Sequence, residues 1–202
     1  MRPIKNILII IFVTLILVNH VSGESISAEN VVKETTSEVL TRLNSDRDRL
    51  RLYPEYIEEI VSELIVPHFD FETMSRLVLE KHWQAMSESD KNCFTSGFRN
   101  LLVSRYADTF LSYSDQQISY EPAKPIGEKN YVSVRQIISY PGIGPFYVDY
   151  PMRPENNGWK VVDIIIDNVS LLKSYRATFK NNIQKNGLQN FILSFQECKQ
   201  PD

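Results

Sequence analysis

The sequence is short of the local signatures on which most catalytic assignments rest. It contains no Gly-x-Ser-x-Gly elbow, no His-Glu-x-x-His pair, no P-loop and no glycine-rich dinucleotide turn. The usual serine-hydrolase, zinc-peptidase and nucleotide-binding layouts are thereby excluded. Histidine is scarce. Of the three present, His68 and His82 sit beside large aromatic residues, where packing is the ordinary role and a catalytic base the exception. The two cysteines, Cys93 and Cys198, lack the close His or Cys companions of a zinc site. Positive charge is limited too. The chain holds 22 Lys+Arg against 25 Asp+Glu, a net charge of −3, with no basic cluster. That balance disfavours nucleic acid as a partner and firm adhesion to an anionic membrane surface.

Long apolar runs are missing, with one exception at the start. Arg2 and Lys5 precede Ile7 to Val18, a stretch apolar throughout except for Thr14. Val21-Ser22-Gly23 then supplies residues suited to a signal-peptidase site. The run is shorter than the ~20 residues that span a bilayer, so residues 1–23 are expected to be a cleaved secretory signal peptide. Residues 24–202 then form the mature chain, long enough for a single compact domain. No cysteine lies near the cleavage site, which argues against a lipid anchor. In an exported chain Cys93 and Cys198 can form a disulfide. Two small buried hydrophobes are the alternative.

What the chain does have is apolar periodicity. Val32, Val39, Leu40 and Leu43 recur at helical spacing between Ser27 and about Arg49, and Leu52-Tyr53-Pro54 breaks that helix. Tyr56/Ile57, Ile60/Val61 and Leu64/Ile65 form a stripe two residues wide, ended by Pro67. Asp70 is placed to cap the helix that carries Met74, Leu77 and Val78 inward. Ser87-Glu88-Ser89-Asp90 begins the longest helix, expected over 88–113. Phe94, Phe98, Leu101, Leu102, Tyr106, Phe110 and Tyr113 follow one face of it, and Val103, Ala107 and Leu111 lie off that face. Such a helix is buried on more than one side.

Beyond it the period changes to two. Strands are expected at 118–120, 131–140, 146–152 and 159–166, with Pro122, Pro125 and Gly127 separating the first two. The turns at 141–145 and 154–158 are short, which makes the last three an antiparallel meander. Val132 and Val134 alternate with Ser133 and Arg135. In contrast, Val161, Val162, Ile164, Ile165 and Ile166 leave both faces of the last strand apolar. A strand of that kind is central, covered on both sides, or lines a cavity. Asp163 interrupts it and is expected to pair with an arginine such as Arg105 or Arg135. Asn168 is expected to cap a final long helix that turns Val169, Leu172, Tyr175, Phe179 and Ile183 inward. Gly187 ends that helix, and a short one at 188–197 closes the chain. The expected class is α+β, a helical half packed on a curved antiparallel sheet of about four strands. The bulky apolar residues fit either a filled core or a ligand cavity.

Several runs, taken together, resemble one family. They are Phe69-Asp70-Phe71-Glu72-Thr73-Met74-Ser75-Arg76-Leu77-Val78-Leu79, Phe98-Arg99-Asn100-Leu101-Leu102 and Tyr106 in the helical half. In the second half they are Tyr113-Ser114-Asp115-Gln116, Val148-Asp149-Tyr150, Gly158-Trp159-Lys160-Val161-Val162-Asp163, Val169-Ser170-Leu171 and Tyr175-Arg176. The combination spans about 54–195 and is similar to the MlaC family, the periplasmic phospholipid carriers also called toluene-tolerance auxiliary proteins. Pro151 and the two cysteines depart from the family pattern, and Pro151 puts local strand pairing in question because it cannot donate to a ladder.

The resemblance implies a cleft between helices and sheet that encloses the acyl tails of a glycerophospholipid, with the headgroup at its mouth. It implies a soluble, monomeric periplasmic shuttle rather than an enzyme, with phospholipid as ligand and no cofactor or metal. Family partners are an inner-membrane Mla ABC transporter complex and an outer-membrane lipoprotein–porin complex, which together maintain outer-membrane lipid asymmetry. The residues expected to contact lipid are Phe69, Met74, Val78, Phe98, Leu102, Tyr106, Phe110, Val132, Val134, Val148, Tyr150, Val162, Ile164, Ile166, Val169, Leu172 and Tyr175. Hydrophobic contacts fix no headgroup, so weak headgroup selection is expected. Two rivals are a small exported curved-sheet α+β enzyme with Asp163 as base, and a periplasmic scaffold with a filled core.

Overall fold

A computed structural model describes residues 27–113, 116–127, 130–156, 158–195 and 198. The expected signal peptide lies outside these residues. The Ser27 side chain accepts from Asn30 N at 3.1 Å and opens helix α1 (Ala28–Ser45). Helices α2 (Arg47–Leu52) and α3 (Tyr56–Leu64) follow, and α3 runs into a 3-10 turn at Val66–His68. The α3 stripe of Ile57, Ile60 and Val61 is buried with Val39 and Leu43 of α1, as its two-residue width requires.

Next come α4 (Phe71–Leu79), α5 (Lys81–Gln84) and α6 (Glu88–Tyr106). Asp70 and Ser87 cap α4 and α6 as expected, accepting from Thr73 N at 2.9 Å and Asp90 N at 3.1 Å. The helix expected to reach residue 113 instead tightens into 3-10 turns at Ala107–Ser112. Helices α7 (Leu171–Asn186) and α8 (Leu188–Leu193) pack back on α6. Phe94 and Phe98 are completely buried there and meet Phe179 edge-on, at centroid distances of 5.9 and 5.6 Å. Phe195 presses on Gly97, where an added Cβ would come within 2.7 Å of the ring. Three residues later Cys198 is joined to Cys93 in a disulfide, with Cα atoms 5.2 Å apart. The disulfide is therefore the correct one of the two cysteine readings.

Among the described residues the sheet has six antiparallel strands rather than about four. They are β1 (Gln117–Ile126), β2 (Tyr131–Tyr140), β3 (Ile143–Glu155), β4 (Gly158–Val161), β5 (Ile165–Ile166) and β6 (Val169–Ser170). The order is β1-β2-β3-β5-β6, and β4 pairs with the far end of β3. Pro122 and Pro125 do not end the first strand but lie within it. β1 stands at one end of the order and carries a register shift between Glu121 and Lys124, the settings in which a strand tolerates proline.

The strand expected at 159–166 is divided. Met152 faces Val161, yet Val148 faces Ile166, so four steps along β3 match five on the returning chain. The slip sits opposite Pro151, whose carbonyl accepts from Val162 N at 2.8 Å but which has no N–H to return. A one-residue slip exchanges the faces, which explains why alternation fails over this stretch. Asn168 is not a helix cap. Asp167 and Asn168, with φ of 45° and 68°, form the two-residue turn of a small β5–β6 hairpin. Ser170 caps α7 instead, accepting from Lys173 N at 3.1 Å.

The halves are tied at Asp70. Its N–H donates to Val161 O at 2.9 Å, and its carboxylate holds the Arg153 guanidinium of β3. On the other side α1 lies across the sheet, with Ala28, Val31 and Val32 buried against Val134, Met152 and Val161. Among the described residues no helix is long and apolar enough to cross a membrane.

Candidate functional site

The space between α1 and the sheet is not filled by protein along its whole length. A cavity of about 240 Å³ remains, roofed by Val31, Val32, Thr35, Thr36, Val39 and Leu40 of α1. Its floor includes Ile118 of β1, Gln136, Ile138 and Tyr140 of β2, and Tyr150 of β3. Ile65, His68, Phe69, Thr109, Phe110, Tyr113, Gln116, Val161 and Ile164 complete the lining. Two simple periods build it. On α1 the stripe 32, 35, 36, 39 and 40 follows helical spacing, and on β2 the residues 136, 138 and 140 follow the strand alternation. No Lys, Arg, Asp or Glu is among these lining residues.

Two ionisable lining groups, His68 and Tyr150, are biased toward their neutral forms by their surroundings. Burial, and after it the Lys160 charge, holds the His68 imidazole below its ordinary pKa. Burial, reinforced by Tyr120, raises that of the Tyr150 phenol. Tyr150 therefore keeps its proton and donates it to Gln136 Oε1 at 2.8 Å. A neutral, largely apolar space of this kind suits hydrocarbon and offers no anchor for a charge. Other surface depressions are more open and carry charged side chains, such as Arg76, Glu80 and Arg176, or Asp70, Arg99 and Arg153.

The sequence matches the family model described as MlaC protein over residues 33–197. The chain belongs to the MlaC family. It is 24% identical over 187 residues to the intermembrane phospholipid transport system binding protein MlaC of Haemophilus influenzae, covering 91% of this chain and 87% of that one. It is also 24% identical over 159 residues to toluene tolerance protein ttg2D of Pseudomonas putida, covering 78% and 74% respectively. A phospholipid-binding protein of Ralstonia solanacearum, solved in complex with a phospholipid, superposes with a TM-score of 0.75 at 26% identity. The match covers 85% of this chain and 96% of that one.

Within this MlaC fold the seventeen residues singled out by pattern fall in several places. Phe69, Phe110, Tyr150 and Ile164 line the cavity. Met74, Val78, Phe98, Leu102, Leu172 and Tyr175 pack with one another in the helical core around α6 and α7. Val132 and Val134 pack beneath α1, and Val148 and Val162 are buried in the sheet region. Ile166 and Val169 are exposed on the β5–β6 hairpin, and Tyr106 is partly exposed at the end of α6. Pattern reasoning passed over the α1 stripe and the continuation of β2 through Gln136, Ile138 and Tyr140. The signal for both was present, as helical spacing in α1 and alternation in β2.

Asp163 pairs with neither Arg105 nor Arg135. Its Oδ1 accepts from Ile164 N at 2.8 Å and Leu172 N at 3.1 Å, and its Oδ2 from Ser170 Oγ at 2.6 Å. The expected arginine partner is replaced because the chain itself turns three donors toward the carboxylate at the break after β4. Arg135 instead forms a two-pronged pair with Asp149 directly across β2 and β3, at 2.7 and 2.8 Å. Asp163 is absent from the lining of this cavity, although the adjacent Ile164 is part of it. Among the described residues no group of three or more His, Cys, Asp or Glu could hold a metal ion.

Proposed function

We propose that this protein is a periplasmic carrier that binds the acyl chains of a glycerophospholipid between α1 and the inner face of the sheet. The observation that carries this reading is the cavity between α1 and the sheet, whose lining contains no Lys, Arg, Asp or Glu. The phospholipid-bound structural relative supports the ligand class, and the named transport role of the Haemophilus relative supports the shuttle. Residues 1–23 act as the export signal, and 24–202 form the carrier domain. The partners are an inner-membrane Mla ABC transporter complex and an outer-membrane lipoprotein–porin complex, and the outcome is outer-membrane lipid asymmetry. The protein works as a monomer and performs no chemistry on its cargo.

The energetics fit a shuttle. Burying a methylene is worth roughly 0.8 kcal/mol relative to water, so about thirty methylenes in two chains total on the order of 24 kcal/mol. That exceeds the practical ceiling of about 18–21 kcal/mol for non-covalent affinity. The relevant comparison is with a bilayer, where the chains are already dry, so carrier and membrane lie close in free energy. The barrier is passage through water, which places loading and release at docked membrane complexes. The cavity of about 240 Å³ is also smaller than the roughly 300–1,000 Å³ of ordinary ligand pockets. Two chains of that length need more room than this volume alone provides. Of the pattern-derived residues, Phe69, Phe110, Tyr150 and Ile164 touch the chains, and those in the helical core pack against protein.

The test is solvent extraction and phosphorus assay of protein purified from the exported fraction without detergent. About one phospholipid per chain is expected. Protein free of phospholipid would contradict the carrier reading.

A further inference from the structure

Polar side chains from both walls interrupt the apolar lining of the cavity. On α1, Thr35 and Thr36 stand between Val32 and Val39, and on β2, Gln136 stands between Val134 and Ile138. Gln136 is almost fully buried, yet its amide is well partnered. Its Oε1 accepts from the Tyr150 hydroxyl at 2.8 Å, and its Nε2 donates to Thr36 Oγ1 at 3.1 Å, joining the two walls. The Thr36 hydroxyl donates in turn to Val32 O at 2.7 Å, the usual relief for a threonine inside a helix.

Thr35 breaks the pattern. It borders the same cavity, but its Oγ1 is shielded from solvent and has no hydrogen-bond partner. Buried hydroxyls are nearly always partnered, and one left alone costs stability. A hydrocarbon chain offers it nothing, whereas an acceptor oxygen carried by the chain completes it after rotation about a single side-chain torsion.

We propose that the Thr35 hydroxyl is the donor for an acceptor oxygen on the buried part of the lipid, its acyl ester carbonyl, so that this contact fixes how deep the chain seats. This rests on reading the cavity as an acyl-chain site. It adds a selectivity that apolar lining cannot supply, for the linkage rather than for the headgroup. A hydroxyl along the chain offers the same acceptor chemistry, and the lipids compared must separate the two sources.

The experiment competes three lipids of equal headgroup and chain length for the delipidated protein: a diester, a diether without carbonyls, and a diether with a mid-chain hydroxyl. The wild-type protein is expected to prefer the diester over the plain diether by roughly three- to tenfold, the worth of one hydrogen bond. Thr35→Val, close in shape, is expected to erase that preference, and Thr35→Ser to keep it, with thermal unfolding monitored for each. Preference for the hydroxylated diether alone would overturn the ester assignment in favour of the chain hydroxyl. Equal binding of all three by the wild-type protein overturns the proposal and leaves the carrier reading intact. Failure to bind any of them overturns the carrier reading itself.

Discussion

Ser170 Oγ donates to Asp163 Oδ2 at 2.6 Å while accepting from Lys173 N at 3.1 Å, so one serine joins the break in the sheet to the first turn of α7. Asp163 Oδ1 adds Ile164 N and Leu172 N to the same junction. Replacing Asp163 by Ala strands three donors in a part-buried place. A loss of about 2–4 kcal/mol is expected, read as a lower denaturant midpoint with unchanged slope. Asp163→Asn keeps one acceptor oxygen and should lose less.

Asp70 makes the junction between the halves sensitive to acid. Burial alone would raise its pKa. The Thr73 hydrogen bonds and the Arg153 guanidinium outweigh that and hold the carboxyl below the usual range. A carboxylate with a depressed folded pKa contributes stability that is present above its unfolded pKa of about 4 and lost as pH falls through the folded value. Stability is thus expected to be level with respect to this group above about pH 5 and to fall below about pH 4. Asp70→Asn should lower stability at neutral pH and flatten the acid limb, as measured by urea unfolding across pH.

The Cys93–Cys198 disulfide closes a sequence separation of 105 residues and holds Phe195 in the aromatic cluster. A loop of that length is worth roughly 4–5 kcal/mol by chain entropy. Reduction, or Cys198→Ser, should lower the thermal midpoint markedly without touching any cavity residue. Unchanged unfolding on reduction would show that the C-terminal segment needs no fastening.

A charge in the cavity should act on lipid rather than on fold. Ile138 is only partly buried and lines the cavity, so Ile138→Glu is expected to cut phospholipid retention at least about tenfold, with helical signal preserved. Val169→Asp, on the exposed β5–β6 hairpin, should leave retention as it was. Lipid loss in the second variant and not the first would move the site to the hairpin.

Much of the framework was legible in the sequence because it depends on neighbours in the chain. The caps at Asp70 and Ser87 and the left-handed end at Gly187 follow from local chemistry. The division of the last long strand was not, since it is imposed by Pro151 on a different strand and by the link from Asp163 to Ser170. The hairpin turn at Asp167-Asn168 had a recognisable signal that the helix-cap reading of Asn168 obscured. The site was the least legible part. Phe98 and Tyr175 look like lining residues by size and spacing, yet they pack against Phe179 and each other. The α1 stripe reads as modestly amphipathic because Thr35 and Thr36 interrupt it. Periodicity tells which residues face inward and is silent about whether protein or ligand meets them.

The most direct test of the account is a photoreactive acyl phospholipid loaded into the protein, irradiated, and mapped by peptide mass spectrometry. Labels are expected on the α1 segment from Val32 to Leu40 and on β2 from Gln136 to Tyr140. Labels confined to the exposed β5–β6 hairpin, or none at all, would contradict an acyl chain seated between α1 and the sheet.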